Sequence, residues 1–348
     1  MEVFDTTIIG GGPAGLYSAF YAGLRAMNVQ LIEAQTYLGG KLNLYSEKII
    51  WDIGGIPPMP AGQVITHLID QAKTFNPVIR TGETINGIKK TADGNFQLET
   101  SKGRTYLSKT LLLAMGNGIL DPIPDPFFTN EGERLDNVHV SLTDFERMKD
   151  KRVMISGGGN SAVDWANALA PIAKEVILVY RREHLKGHEA EVEKVLSGPV
   201  TCKLQSDLIS KTLTPDEAGI AAITVRDAKT GQEESVSVDE VIVCHGFNRK
   251  NDLFEQNEIG LTVFEEYFVE ATSEAKTAIP GLFVLGDAAK YPGKVRLIAG
   301  AFQDAVNAVN AAKTYTDPLA NAKGTVSTYD DKLKQKVSSV WENYTSEQ

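Results

Sequence analysis

Short β-branched apolar runs recur along this chain, each followed by a glycine turn or by a stretch of helical periodicity. Thr6–Ile9 is such a run, Gly10–Gly15 is a glycine turn, Leu16–Ala26 is helical in character, and Val29–Glu33 is a second apolar run. Strand, turn, helix and strand in that order predict a βαβ unit, which requires a parallel sheet and a crossover helix. The order returns in the middle of the chain as Arg152–Ser156, Gly157–Gly159, Ser161–Ala170 and Glu175–Tyr180. Two such units far apart point to duplication of a whole domain rather than to a solenoid repeat. Between them, Gly94–Tyr106 reads as a hairpin in which Phe96 and Leu98 alternate with polar residues, and Thr110–Ala114 reads as a buried strand. The Pro-rich run Asp121–Pro126 and the segment Gly246–Lys250 read as linkers. After the second linker come a short strand, Leu282–Leu285, ending in Gly286-Asp287, then an Ala-rich helix, Leu297–Thr314, and a polar tail from Asp317.

The expected fold is therefore α/β, with two Rossmann-like three-layer domains, the second inserted in the first. Residues 1–120 and 247–316 would form one domain, 121–246 the other, and 317–348 a C-terminal tail. At 348 residues the chain is long enough for two cores. Its formal charge of −10 lacks the basic footprint of a nucleic-acid binder. No apolar run is long enough to span a bilayer, and the start has no basic segment followed by an apolar one, so a cytoplasmic protein with no membrane partner is expected. The two cysteines, Cys202 and Cys244, make no disulfide framework and no CxxC. The five histidines (His67, His139, His184, His188, His245) show no metal-ligand spacing, so no metal is expected. No Ser–His–Asp set or carboxylate pair stands out either.

The two glycine turns carry the chemistry. Gly10-Gly11-Gly12-Pro13-Ala14-Gly15 fits G-x-G-x-x-G: the first glycine makes the tight turn, the second lets the backbone approach a pyrophosphate, and the third lets helix and strand pack closely. The helix N-terminus then offers N–H groups and partial positive charge to phosphates. Glu33 ends the second strand, where a carboxylate accepts bonds from both ribose hydroxyls and repels a 2′-phosphate, so this turn favours FAD or NAD. Gly157-Gly158-Gly159-Asn160-Ser161-Ala162 fits G-x-G-x-x-A, but its second strand ends in Tyr180-Arg181-Arg182, with Lys186 close behind. Guanidinium forks match phosphate oxygens, which suits the 2′-phosphate of NADPH. A solvated basic turn is the plainer alternative, since Glu183 and Glu189 lie nearby. A flavin and a nicotinamide held in one chain can exchange hydride, the cofactors carrying the chemistry.

Over nearly its whole length the sequence resembles the thioredoxin reductase-like flavoproteins, in Gly10–Gly15, Leu38–Leu42, Ala114–Gly118, Gly157–Asp164 and Gly281–Ala288. It lacks the CxxC through which true thioredoxin reductases relay electrons, which excludes a dithiol relay. Within that group it is most similar to the thioredoxin reductase-like ferredoxin–NADP reductases, in Tyr45–Lys48, Gly157–Trp165, Pro171–Val176, Gly293–Ala299 and the tail around Ser327-Thr328-Tyr329. The resemblance implies an FAD/NAD(P)-linked reductase fold with FAD and NADPH as cofactors. FAD would be bound by Gly10, Gly12, Pro13, Ala14, Gly15, Glu33, Gly40, Lys41, Tyr45, Trp51, Ile85, Leu120, Asp287 and Thr328. Within this set Trp51 would stack on the isoalloxazine, with no acid or base proposed, and an unpaired Asp287 would bond the ribityl–phosphate region. NADPH would be bound by Gly157, Gly159, Asn160, Ser161, Ala162, Arg181, Arg182 and Lys186.

There are departures from the family pattern. The family often has Gln at Lys41, and a lysine at the flavin N1–O2 edge would stabilise anionic reduced flavin. Its basic motif is usually His-Arg-Arg with a later Arg, where this chain has Tyr180 and Lys186. Val326 stands where the tail can carry an aromatic or His. The implied partners are ferredoxin or flavodoxin and a second copy of the chain in a homodimer. Lys48, Arg249, Lys250, Lys290, Lys294 and the Lys332/Lys334/Lys336 run are candidate docking cations for an acidic carrier. A dehydrogenase or diaphorase reducing a quinone, free flavin or small disulfide is the enzymatic alternative, and a redox-sensing flavoprotein without turnover is another.

Overall fold

A computed structural model of the chain describes residues 2–130, 132–142, 144–250, 253, 258–265, 267–324 and 327–337, and the side chains of all of these except 120–122 and 248–250. The expectations for Val326 and for the side chains of Leu120, Arg249 and Lys250 lie outside the described residues.

The chain divides into two compact units, one of residues 1–43, 48–120 and 249–348, the other of residues 44–47 and 121–248. In chain order, the first unit opens with β1 (Val3–Ile9), α1 (Pro13–Leu24), β2 (Val29–Glu33), α2 (Ala61–Ala72), β3 (Val78–Thr81), β4 (Ile85–Lys90), β5 (Phe96–Thr100) and β6 (Thr105–Leu113). The second unit supplies β7 (Val138–His139), β8 (Arg152–Ser156), α3 (Asn160–Leu169), β9 (Glu175–Tyr180), α4 (Glu189–Ser197) and β10 (Thr201–Leu204). It continues with β11 (Ser206–Leu213), β12 (Ile220–Asp227), β13 (Glu233–Ser237) and β14 (Glu240–Val243). The chain then returns to the first unit with β15 (Leu282–Val284) and α5 (Ile298–Thr316).

In the first unit the strands run in the order β3-β2-β1-β6-β5-β4. The pairs β3–β2, β2–β1 and β1–β6 are parallel, and the hairpin strands β4 and β5 add on antiparallel. β6 serves two neighbours along one edge: its first half pairs antiparallel with β5, and Leu111–Leu113 pair parallel with β15. β2 is buried at every position, and β1 at most of its own, as central parallel strands covered on both faces must be. On one face Ile8, Leu31 and Leu112 pack under α1, α2 and α5. The face that α5 presents is Ala301, Ala305, Ala308 and Ala312, three and four apart, so the long helix lies close to the rest of that core. On the other face Ile9, Ile32, Leu111 and Leu113 meet Phe96 and Leu98 of β5. The alternation that predicted the hairpin is thus the inward face of β5, and burying Phe96 alone contributes about 1.5–3 kcal/mol.

In the second unit five parallel strands run in the order β7-β14-β8-β9-β10. α3 covers one face through Val163, Ala166 and Leu169. The antiparallel sheet β11-β12-β13 covers the other, placing Ile223, Val225 and Val236 on Met154, Ile177, Val179 and Val241. Each unit is therefore a layered α/β body of Rossmann type whose first glycine turn emerges from the carboxyl end of a parallel strand. Among the described residues, no helix is long and apolar enough to cross a membrane.

Candidate nucleotide-binding sites

The first turn is shaped by what its glycines lack. Gly10 has φ +110°, and a Cβ there would fall 2.4 Å from the Ala114 carbonyl oxygen. A Cβ on Gly15 would fall 1.9 Å from the Gly10 carbonyl oxygen, so α1 can seat against the turn only with glycine at that position. Gly12 differs: a Cβ there would meet only Gly40 Cα, at 3.7 Å, which is ordinary contact. Gly12 is the N-cap of α1 and makes no side-chain cap, and Pro13 follows with its preset φ. The first N–H groups of α1 therefore have no capping side chain and face a surface that glycine keeps low, the arrangement a pyrophosphate requires. Gly40 closes one side of the turn, and the neighbouring Gly39 N–H donates to the Gly11 carbonyl at 2.8 Å.

Glu33 is drawn into this turn. It is only 8% exposed. Its Oε2 accepts from Gly11 N–H at 2.6 Å and its Oε1 from Gln35 N–H at 2.7 Å. Burial pushes the carboxyl above its ordinary value, and the bonds from Gln35, Gly11 and Ala34 offset that only in part. Each oxygen keeps a lone pair for a further donor, so the residue fits a ribose diol.

Gly286-Asp287 follows β15 in a single helical turn against α1: a Cβ on Gly286, at φ +70°, would lie 3.1 Å from Ala14 Cβ. Asp287 is not unpaired, contrary to the expectation above. Lys41 Nζ sits 3.3 Å from its Oδ2, so the lysine expected at the flavin edge is tied to the carboxylate expected beside the phosphates.

Beneath this turn lies a cluster with no signal in the sequence. Asp304 of α5, 1% exposed, accepts from Gly286 N–H at 2.9 Å, Lys294 Nζ at 2.6 Å and the Tyr291 hydroxyl at 2.5 Å. Burial first, then the bond to Asp304 and its charge, raise the Tyr291 phenol far above its ordinary value. The side chain of Lys294 is 3% exposed, which removes it from the docking cations. Lys290 pairs with Glu265 at 3.0 Å, Lys334 pairs with Asp331 at 2.8 Å, and Lys336 donates to the Thr74 carbonyl at 2.7 Å.

The other expected FAD residues are dispersed. Trp51 is 75% exposed, free of the packing that would fix an aromatic plane. The Ile85 side chain belongs to the core, and its backbone opens β4 opposite Thr100 of β5. Thr328 lies exposed in a short turn of the tail. Tyr45, expected with the FAD residues, belongs with residues 44–47 to the second unit and packs against that core.

The second turn repeats the backbone with different ends. Gly157 has φ +140°, and a Cβ there would fall 2.5 Å from the Cys244 carbonyl oxygen. At Gly158 a Cβ would strike the Tyr180 ring at 2.3 Å, so Tyr180 fills the space above the turn. At Gly159, the N-cap of α3, a Cβ would meet nothing within 4 Å, which leaves the helix start (Asn160, Ser161) open to a phosphate. Ala162, fully buried, takes the place that Gly15 has in the first turn. The basic segment folds back over this turn, Lys186 N–H donating to the Gly158 carbonyl at 2.6 Å. Arg181, Arg182 and Lys186 are all exposed. Glu183 lies 3.9 Å from both His184 and Lys229.

A Ser–His–Asp line, which the sequence did not suggest, also stands at this edge. Ser156 Oγ is 2.8 Å from His245 Nε2, and His245 Nδ1 is 3.0 Å from Asp125 Oδ2. Among the described residues no group of three ligands is placed to hold a metal ion.

The residues of both turns thus fit dinucleotides, and the comparisons with known proteins agree. Residues 4–312 match the family model described as pyridine nucleotide-disulphide oxidoreductase. The chain is 42% identical to a protein named ferredoxin–NADP reductase 1 from Bacillus licheniformis, over 96% of each chain. It is 44% identical to a protein of the same name from Oceanobacillus iheyensis, over 97% of each. Among solved structures it resembles thioredoxin reductase from Lactococcus lactis (TM-score 0.71, 21% identity, 91% of this chain and 100% of that one). The thioredoxin reductase of T. acidophilum is similar too (TM-score 0.70, 22% identity, 92% and 100%). The likeness to these two structures shows the fold alone. With a family model matching most of its length and full-length relatives above 40% identity, the chain belongs to the pyridine nucleotide-disulphide oxidoreductase family.

Proposed function

We propose that this chain is a ferredoxin–NADP reductase with FAD in its first unit and NADPH in its second. One observation carries the reading: the two turns share a backbone but end in opposite chemistry, a buried, backbone-bonded Glu33 in one and the exposed Arg181-Arg182 pair in the other. A carboxylate at the ribose position accepts from hydroxyls and rejects a 2′-phosphate, whereas two guanidiniums select it. When bound, the two cofactors supply hydride transfer and its conversion to single electrons.

The chain's own residues bind and orient. Gly12 and the start of α1 receive the FAD pyrophosphate, Gly40 closes the turn, Glu33 holds the ribose, and Asp287 with Lys41 borders the phosphates. Gly159, Asn160 and Ser161 receive the NADPH pyrophosphate, Ala162 packs α3, and Arg181, Arg182 and Lys186 take the 2′-phosphate. Trp51, Ile85, Leu120 and Thr328 complete the flavin surroundings, Trp51 as the stacking ring. Ferredoxin is the acceptor because the full-length relatives carry that name, flavodoxin offers the same one-electron chemistry, and the working form is a cytoplasmic homodimer. With Cys202 and Cys244 as the chain's only cysteines and no CxxC, a dithiol relay has no residues to run on.

Anaerobic rapid mixing of the FAD-loaded protein with NADPH or NADH, read in the flavin absorption band, tests donor and chemistry together. Fast bleaching by NADPH and slow bleaching by NADH are expected. A colourless protein that takes up no FAD would overturn the reading. Turnover with ferredoxin, flavodoxin, a quinone and a small disulfide, each at several salt concentrations, then identifies the acceptor.

A further inference from the structure

The Ser156–His245–Asp125 line has no part in the reading above. It is not a nucleophilic triad: Ser156 is the last residue of β8 and 4% exposed, so no substrate carbonyl can reach its Oγ. Its place is what matters. In doubly wound sheets a dinucleotide lies across the carboxyl ends of the strands, at the crevice where strand order reverses. In the order β7-β14-β8-β9-β10 that crevice lies between β8 and β14. Ser156 closes β8 there, and Cys244 N–H, just past β14, donates to the Ser156 carbonyl at 2.7 Å. His245 is the next residue. Arg181 and Arg182 stand at the other side, after β9, where the adenosine end belongs.

The groups facing His245 can be named. The Asp125 carboxylate holds Nδ1 and also accepts from Phe127 N–H at 2.9 Å. Ser156 meets Nε2, the Phe128 ring lies 5.7 Å away, and the Cys244 thiol is the neighbour in sequence. Lys211 is held by the carbonyls of Phe127 and Thr129, on either side of Phe128. With Nδ1–H directed at Asp125, neutral His245 accepts the Ser156 hydroxyl proton at Nε2. Once protonated, it donates from both nitrogens, Ser156 Oγ must accept, and a positive charge appears beside the turn that begins at Gly157.

We propose that His245 is a positioning residue that makes the NADP crevice proton-linked: a nucleotide spanning it and a proton on His245 favour one another. The inference rests on the NADPH reading of the second turn and adds to it. Linkage fixes the sign. The pyrophosphate that the turn would hold is anionic and favours the protonated state, so affinity rises as pH falls and binding takes up protons.

The 2′-phosphate also exchanges a proton near neutral pH, and the exposed His184 and His188 stand beside the arginines. The test therefore compares NADP+ with adenosine 2′-monophosphate, which carries the 2′-phosphate to the same arginines but has neither a pyrophosphate at the turn nor a nicotinamide half to cross the crevice. Calorimetry on the full-length FAD-loaded protein, in two buffers of different ionisation heat, reads proton uptake and Kd together. NADP+ is expected to take up more protons than adenosine 2′-monophosphate, and its Kd to tighten by about five-fold more between roughly pH 8 and pH 6. His245→Gln should abolish both differences while leaving adenosine 2′-monophosphate binding unchanged, and His245→Asn replaces it if the Gln variant does not fold. Equal proton uptake by the two ligands in the unaltered protein overturns the inference, as does a difference that survives in the His245 variant. Failure of both ligands to bind overturns the NADPH reading itself, and this inference with it.

Discussion

Two turns of nearly the same backbone shape hold their recognising side chains in opposite ways. At the first, Glu33 is folded into the turn, its two oxygens taken by Gly11 and Gln35 N–H groups and its surface almost closed. At the second, Arg181 and Arg182 stand in solvent beyond β9, while Tyr180 fills the space over Gly158. A pocket whose key group is already ordered loses little side-chain freedom on binding and suits a resident cofactor; exposed guanidiniums attract by charge, respond to salt, and suit a ligand that comes and goes.

The sharpest way to break that comparison is at the helix seats. Gly15→Ala should cost roughly 3–5 kcal/mol, because the added methyl meets the Gly10 carbonyl at 1.9 Å and backbone must move. FAD content should fall with it. In the second turn Ala162 already occupies the matching seat, so Ala162→Gly should cost only about 1 kcal/mol of helix propensity. Thermal unfolding of the two variants beside the unaltered protein measures both. Equal costs would mean that the two helices do not seat alike.

The exposed pair comes next. Arg181→Ala with Arg182→Ala should raise the KM for NADPH by roughly 150-fold, at about 1.5 kcal/mol for each guanidinium removed, the low end for a charged hydrogen-bonding partner because both stand in solvent. The KM for NADH should stay where it is. The NADPH penalty should shrink as salt rises, since exposed charges are screened. A salt-independent penalty would mean that the arginines bury themselves on the ligand.

Glu33→Gln follows, at about tenfold in FAD Kd, since the amide nitrogen must face one of two N–H donors that the carboxylate accepted. The apoprotein adds a pH signature. Burial holds the Glu33 carboxyl above its ordinary 4.5 despite the bonds from Gln35 and Gly11. A raised folded pKa contributes stability that is complete below the unfolded value and is lost as pH rises through the folded one. The unaltered apoprotein should therefore gain on Glu33→Gln as pH falls toward 4.5, and urea titrations at successive pH values show it. A gain on raising the pH instead would mean that the backbone bonds outweigh burial.

Both turns were legible because their causes are local: glycines where a side chain would collide, and an end residue whose charge stands at a fixed distance from the turn. The strands were legible from burial on both faces, and the hairpin from the alternation of Phe96 and Leu98. Contacts across sequence distance left no such trace. Asp304 reads as one polar position on an Ala-rich helix, yet it gathers Gly286, Tyr291 and Lys294 from 18, 13 and 10 residues away. Lys294 looked like a surface cation for the same reason: nothing nearby in sequence announces the carboxylate that buries it. Ser156 and His245, 89 residues apart, meet only because β8 and β14 are neighbours in the sheet. The expectation of an unpaired Asp287 failed likewise, its partner Lys41 lying 246 residues upstream.

Lys41 offers the smallest effect and tests the first site most finely. Its side chain is 51% exposed and that of Asp287 29%, and an ion pair so open to water contributes about 0–1 kcal/mol. Lys41→Gln should therefore leave unfolding almost unchanged and raise the FAD Kd by no more than about three-fold, an effect that fades with salt. The midpoint potential of the bound flavin separates two roles for this lysine. An ammonium against the N1–O2 edge stabilises anionic reduced flavin, so its removal would lower the potential. An ammonium engaged with Asp287 neutralises a carboxylate near the phosphates and leaves the potential where it was. The 3.3 Å pair favours the second outcome, and spectroelectrochemistry of the Lys41→Gln protein beside the unaltered one decides it. A clear negative shift would move Lys41 from the border of the phosphates to the flavin ring, and the first site would then carry a movable charge as the second does.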